Sequence, residues 1–336
     1  MNKRLDIEIK KQISGFKKDS RIKECFHFDR DNCSNDIVAA HSIQNNGVLN
    51  LISEDINGNS CVYSLLFKEY NPKGQIIGLQ ALGKKSASTF LGFCGYHDKT
   101  IFHKIEDRSI DLNNDEQCFL LSYRAFAKDY HAKKETLQGY NTNEWYDKKE
   151  AKVFKEGLSE GSEIGLRDGN IVKERLNEIL KNKQFSELEY FVYELDYAIP
   201  MALAASFNPE YSYKNKLLNK SHNPNDYYEF VNFSIQPTND NRTLIVFSCL
   251  PEQKKSVLFI DELSRLATLK LEKSISSLAI AYVENTFISP SLWNKLGDWG
   301  QKILLEELAL TNPIIRAMSN KFFHSKLNLL DKKFAV

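Results

Sequence analysis

A chain of 336 residues, 42% of them hydrophobic, is long enough for two domains, or for one domain with a large appendage, each with its own core. Its 45 basic and 44 acidic residues create no overall field toward nucleic acid or an anionic membrane, so any such contact has to come from a local patch. The least charged runs, near Ile199 and Leu278, reach about half of the ~20 apolar residues that a membrane span needs, which excludes a spanning helix and predicts core segments.

The amino terminus alternates charge with Leu5, Ile9, Ile13 and Phe16 at helical spacing, which predicts an amphipathic helix over residues 1–24. It has no apolar stretch of the secretory kind, so the expected location is cytoplasmic. "DIVAAHSI" (36–43) reads as a strand, "GVLNLISED" has helical spacing at Val48, Leu49 and Ile52, and "INGNSCVYSLLF" gives an Asn-Gly hairpin signal. "PKGQIIGLQ" repeats the turn-then-strand pattern. A helix is predicted to start between Cys94 and His97, with Ile101, Phe102 and Ile105 on one face.

Charged helical pattern covers residues 115–135 and 148–183. The second stretch carries Gly157, Gly161, Gly165 and Gly169, each costing roughly 1 kcal/mol against alanine in a helix, so a break or boundary is expected there. From Glu189 the texture turns to strands, read in "EYFVYELDYAIPMALAASF", "YYEFVNFSIQP", "RTLIVFSCL" and "KKSVLFID", with helix from Glu262 onward. The alternating aromatic residues of these runs are expected on one buried sheet face rather than on a base-stacking surface. The predicted fold class is α+β, in three parts: residues 1–110, a helical connector over 111–187, and an antiparallel sheet with helices over 188–336.

Six cysteines in a cytosolic chain do not make a disulfide framework. Cys25, Cys33, Cys61, Cys94 and Cys118 lie in the first 120 residues, and five of the seven histidines precede residue 132. Cys25-x7-Cys33 and Cys94-x2-His97 offer four thiolate or imidazole ligands, the number that a tetrahedral structural zinc requires. The competing reading is that Cys25 and Cys33 are ordinary buried cysteines. His41 is open to three roles: zinc ligand, core histidine or general base. "GLQALGKKS" misses the phosphate-binding loop pattern, because Lys85 stands where the hydroxyl should follow the lysine; Lys84 and Lys85 remain as donors to a nucleic-acid backbone.

In their order, "ECFHFDRDNC", "IVAAHSIQNNG" and "FCGYHD" resemble the HNH (His-Me finger) endonucleases, over residues 25 to 107 only. The resemblance implies a zinc-stapled ββα, treble-clef-like domain with Cys25, Cys33, Cys94 and His97 around a structural Zn2+. It also implies His41 as general base, Asn45 or Asn46 orienting it, and Asp98 and His103 holding Mg2+ or another catalytic divalent cation. The expected activity is metal-dependent cleavage of nucleic acid, DNA in the first instance, in an arrangement similar to bacterial anti-phage defence effectors. The carboxyl-terminal part would then sense a signal, dock a protein partner or self-associate. The alternative is a non-catalytic, zinc-stabilised protein-interaction or ligand-sensing protein.

Overall fold

The computed structural model describes residues 15–16, 18–71, 75–143, 149–219, 223, 225–310 and 321–336. Most of the amino-terminal helix expected over 1–24 lies outside the described residues; Gly15, Phe16 and residues 18–19 are helical.

The chain is α+β, with antiparallel pairing throughout the described strands. Strand β1 (Ile37–His41) leads through a short helix α1 (Val48–Ile52) to β2 (Glu54–Ile56), β3 (Asn59–Tyr70) and β4 (Ile76–Gly83). The β2–β3 turn is the Asn57-Gly58 pair, at φ 55° and 81°, the left-handed conformation that this dipeptide adopts at little cost. Strand β5 (Thr89–Cys94) then pairs with β1, and α2 (Gly95–Glu106) follows at once. Two long helices come next, α3 (Asp115–Thr142) and α4 (Lys149–Asn182). The rest comprises β6 (Glu189–Leu195), β7 (Met201–Phe207), β8 (Val231–Pro237), β9 (Thr243–Cys249), α5 (Lys254–Ser264), α6 (Thr268–Ala281), β10 (Thr286–Ile288), α7 (Pro290–Lys295) and α8 (Gly297–Leu310).

The large sheet runs β2-β3-β10-β7-β8-β9-β6, with β4 on the other side of β3. One sheet therefore takes strands from both sides of the boundaries expected at 110 and 187. Its centre is covered twice. Met201, Leu203, Phe233, Ile235, Ile245 and Phe247 pack toward α5, α6 and α8, whereas the intervening Ala202, Ala204 and Val246 belong to clusters under α3 and α1. That accounts for the unbroken buried runs of β8 and β9. The aromatic residues sit in this core as expected: Phe233 stacks on Phe247 at 4.3 Å.

Two expectations are corrected. "KKSVLFID" is helical, because Ser256, Phe259, Ile260 and Leu263 bury one face at helical spacing, an order its β-branched content conceals. The glycine-bearing stretch is the unbroken α4. Gly165 and Gly169 lie where α4 meets α3, and a Cβ there would come within 2.5 Å of Lys133 Nζ and 3.1 Å of the Tyr130 ring. At Gly169 the missing side chain admits the Tyr130 ring of the neighbouring helix, and the packing of α4 on α3 offsets the low helix propensity of glycine. Among the described residues, no helix is long and apolar enough to cross a membrane.

Candidate metal centre and the His41 pocket

Residues 24–26 run along the free edge of β5, with Glu24 N–H donating to the Leu91 carbonyl and Phe26 N–H to that of Gly92. This fixes Cys25. The chain then loops out, where the Asp29 carboxylate accepts from Asn32 and the N–H of Cys33 donates to the Arg30 carbonyl. At the end of β5, Cys94 is the N-cap of α2, its Sγ accepting from the His97 N–H at 3.4 Å. Cys94 and His97 thus share the first turn of a helix whose start is held by Gly95 N–H on the Asp36 carbonyl and Tyr96 N–H on Ser34 Oγ.

The four side chains converge. His97 Nδ1 lies 3.5 Å from Cys25 Sγ, 3.6 Å from Cys33 Sγ and 3.2 Å from Cys94 Sγ, and all four donor atoms fall within 4.8 Å of one another. A tetrahedron with Zn–S of ~2.3 Å and Zn–N of ~2.0 Å has S···N edges of about 3.5 Å. The cluster is close enough to hold a metal ion, and its three sulfurs and one imidazole are consistent with zinc.

Burial pushes the Cys25 thiol up to about 12. At Cys94 burial acts the same way, but hydrogen bonds from His97 and Ser34 outweigh it and bring the thiol down to about 7. Burial lowers His97, which favours the neutral, ligating imidazole. His27 stacks on the His97 ring at 3.9 Å and fixes its orientation.

Asp98 does not join the quartet, and neither does His41. His41 ends β1 opposite Thr89, at the other end of the β1–β5 strand pair from Ile37 and Cys94. Helix α2 runs back across that strand pair, so its last residue, Glu106, reaches the His41 end, where Gln44 Nε2 donates to the Glu106 carbonyl. His41 Nε2 is buried and has no hydrogen-bond partner among the described residues, and the same is true of Asn45 Oδ1. Burial lowers the His41 pKa, as does Arg124; Glu106 and the backbone of Lys85 and Lys84 act against them. Asp98 feels the same two neighbours: burial raises it to about 6, with Arg124 opposing and Glu106 reinforcing.

The Lys84–Lys85 turn therefore lies beside His41, with Lys84 Nζ 2.9 Å from Asn50 Oδ1 and Lys85 exposed. His103 is placed differently. Its Nδ1 lies 2.8 Å from the Thr100 carbonyl of its own helix, and five residues on from Asp98 it points about 140° around the axis, away from that face.

Two residues of this pocket escape a reading of the sequence. Arg124 of α3 is 1% exposed, and its Nη1 is 2.6 Å from Glu106 Oε1. One signal could have found it: the lone charge inside "CFLLSYRAFA", a stretch buried from end to end.

Comparison with protein-family models, with curated proteins and with solved structures gives no match.

Proposed function

We propose that this chain is a metal-dependent endonuclease of the HNH-like kind, built on a zinc-stapled ββα unit. The observation that carries the reading is the position of His41: last residue of the first strand in a strand–strand–helix unit, with Nε2 buried, without a hydrogen-bond partner among the described residues, and flanked by Arg124, Glu106 and the Lys84–Lys85 turn.

In this reading Cys25, Cys33, Cys94 and His97 hold a structural Zn2+, closed to water by four protein ligands. It fastens the 24–26 edge, the following loop and the α2 start into one body. His41, kept neutral by burial, accepts at Nε2 a proton from water as the water oxygen bonds to phosphorus and the P–O bond to the leaving strand breaks. Asp98 is the carboxylate that would hold a divalent cation together with the substrate phosphate, since Glu106 is engaged by Arg124. Such a cation supplies charge stabilisation at the leaving oxygen. Lys84 and Lys85 meet the backbone of the nucleic acid. A nuclease joined to a large sensing half suits an anti-phage effector.

The test is cleavage of plasmid DNA, single-stranded DNA and RNA with magnesium, manganese or nickel, comparing wild type with His41→Ala. The expected loss is ~10²–10⁴-fold at unchanged zinc content. Equal cleavage by the variant removes His41 from the mechanism, and an inert wild type overturns the reading.

A second reading, a zinc-stabilised ligand sensor without catalysis, is favoured by one feature. A cleft of about 1600 Å³ opens between α3, α4, β3, β4 and α8, and Lys68, Asp129, Lys133, Ser206 and Trp293 line it. Ligand-induced stabilisation in a protein inert toward nucleic acid would favour it.

A further inference from the structure

Arg124 sits at the centre of a helical run buried from Cys118 to Ala127. Taking a guanidinium out of water costs several kcal/mol unless its N–H groups are partnered. Here Nη1 is bound to Glu106, and the group lies over the Phe102 ring at 4.7 Å. Nε and Nη2 are buried and have no hydrogen-bond partner among the described residues. His41 Nε2 and Asn45 Oδ1, in the same region, are orphaned in the same way. Buried polar atoms without partners are rare in folded proteins, and here three neighbouring residues carry them.

The identity of the free atoms selects a ligand. Nε–H and the Nη2–H beside it form the side edge of the guanidinium, two parallel donors that match two oxygens of one anion. Nη1, the remaining nitrogen, is the one that Glu106 occupies. Around it Glu106, Asn45, Asp98 and His41 are only half-buried.

We propose that the Nε–Nη2 edge of Arg124 binds the two non-bridging oxygens of a phosphodiester, with Glu106 as the positioning residue that turns that edge toward His41. The choice of a phosphodiester rests on the nuclease reading; the anion site itself does not need cleavage. In the hydrolytic step Arg124 sets the phosphorus in line with the water that His41 deprotonates. Its two bonds strengthen as charge builds on those oxygens.

The experiment uses the full zinc-loaded chain without added divalent cation. Inorganic phosphate, dimethyl phosphate and acetate are titrated in turn while the Arg124 Nε–H resonance is followed by ¹H–¹⁵N NMR. Both phosphates are expected to shift it saturably at millimolar concentration, and acetate far less. Arg124→Lys keeps the charge but loses the paired donors, and should weaken phosphate binding ~10-fold or more. Because a buried arginine can be needed for folding, Glu106→Gln is the second variant; it should weaken binding several-fold and lower kcat more than it raises KM.

A resonance unmoved by phosphate, equal binding by Arg124→Lys, or an equal response to acetate overturns the proposal. Phosphate binding as described in a protein that cleaves nothing sinks the nuclease reading and leaves the anion site standing. His41-dependent cleavage with phosphate binding indifferent to Arg124 does the reverse.

Discussion

Asn285 Nδ2 donates to Ser42 Oγ at 2.8 Å and to the Ala204 carbonyl at 2.7 Å, joining the residue after His41 to the centre of the large sheet. Ser42 Oγ in turn donates to the Ser88 carbonyl. The end of β1 is thus held by a buried amide 243 positions away in sequence. Asn285→Ala should cost about 1–3 kcal/mol, since it leaves the Ala204 carbonyl unpaired, and should reduce kcat by displacing His41. Chemical denaturation and cleavage rates check both. An unchanged midpoint would mean that water replaces the amide.

Elemental mass spectrometry should find about one zinc per chain. It should be lost in Cys25→Ala and Cys94→Ala and retained in His41→Ala and Asp98→Ala, because neither of the latter side chains is in the quartet. Chelation should lower the melting temperature of the wild type, since zinc-binding energy is also folding energy.

Asp98 and His103 should separate. Asp98→Ala should abolish cleavage, and His103→Ala should leave it within about twofold, because His103 is engaged with its own helix. Equal loss in both would return His103 to the active site. Reaction rates at saturating divalent cation measure the difference.

Asp129 gives a pH dependence of stability. Burial raises its pKa from 3.8 to about 6; Lys128, the Ser206 N–H and Lys133 oppose, and Glu284 reinforces. Between those values the folded protein binds a proton that the unfolded chain does not. This contribution is therefore full below 3.8 and is lost as pH rises through about 6. Asp129→Asn keeps an oxygen for the Ser206 N–H and carries no charge. Its melting temperature should vary less than the wild type's across that window and should exceed it at neutral pH.

Much of the metal centre could be read in advance, because Cys94-x2-His97 is a local spacing and a helix start fixes its geometry. The strand ending at His41, the Asn57-Gly58 hairpin and the strands from 189 to 249 were legible for the same reason: turn chemistry and alternation are written within a few residues. The joining of β3 to β7 through β10 has no such signature, since strand partners more than 200 residues apart leave no mark on either segment. Arg124 and Glu106 were missed because a charge on a helix is ordinarily solvated, and only the tertiary packing of α3 against α2 buries Arg124 and sets it against the half-buried Glu106.

The three-residue β10 has a consequence for synthesis. Among the described residues, strand β3 (59–70) is bridged to β7 by β10 alone, Phe287 and Ile288 pairing with Ser64 and Tyr63. A nascent chain extrudes its amino-terminal part first, at ~5–20 residues per second, so all four side chains of the candidate metal centre have emerged by residue 97, when β3 has β2 and β4 beside it but still lacks β10. The sheet, and with it the Asn285 bond that steadies His41, closes only after residue 288 has emerged. The His41 end of β1 therefore gains this bond only in the late stages of translation, and chains interrupted earlier would carry the Cys25, Cys33, Cys94 and His97 cluster without it.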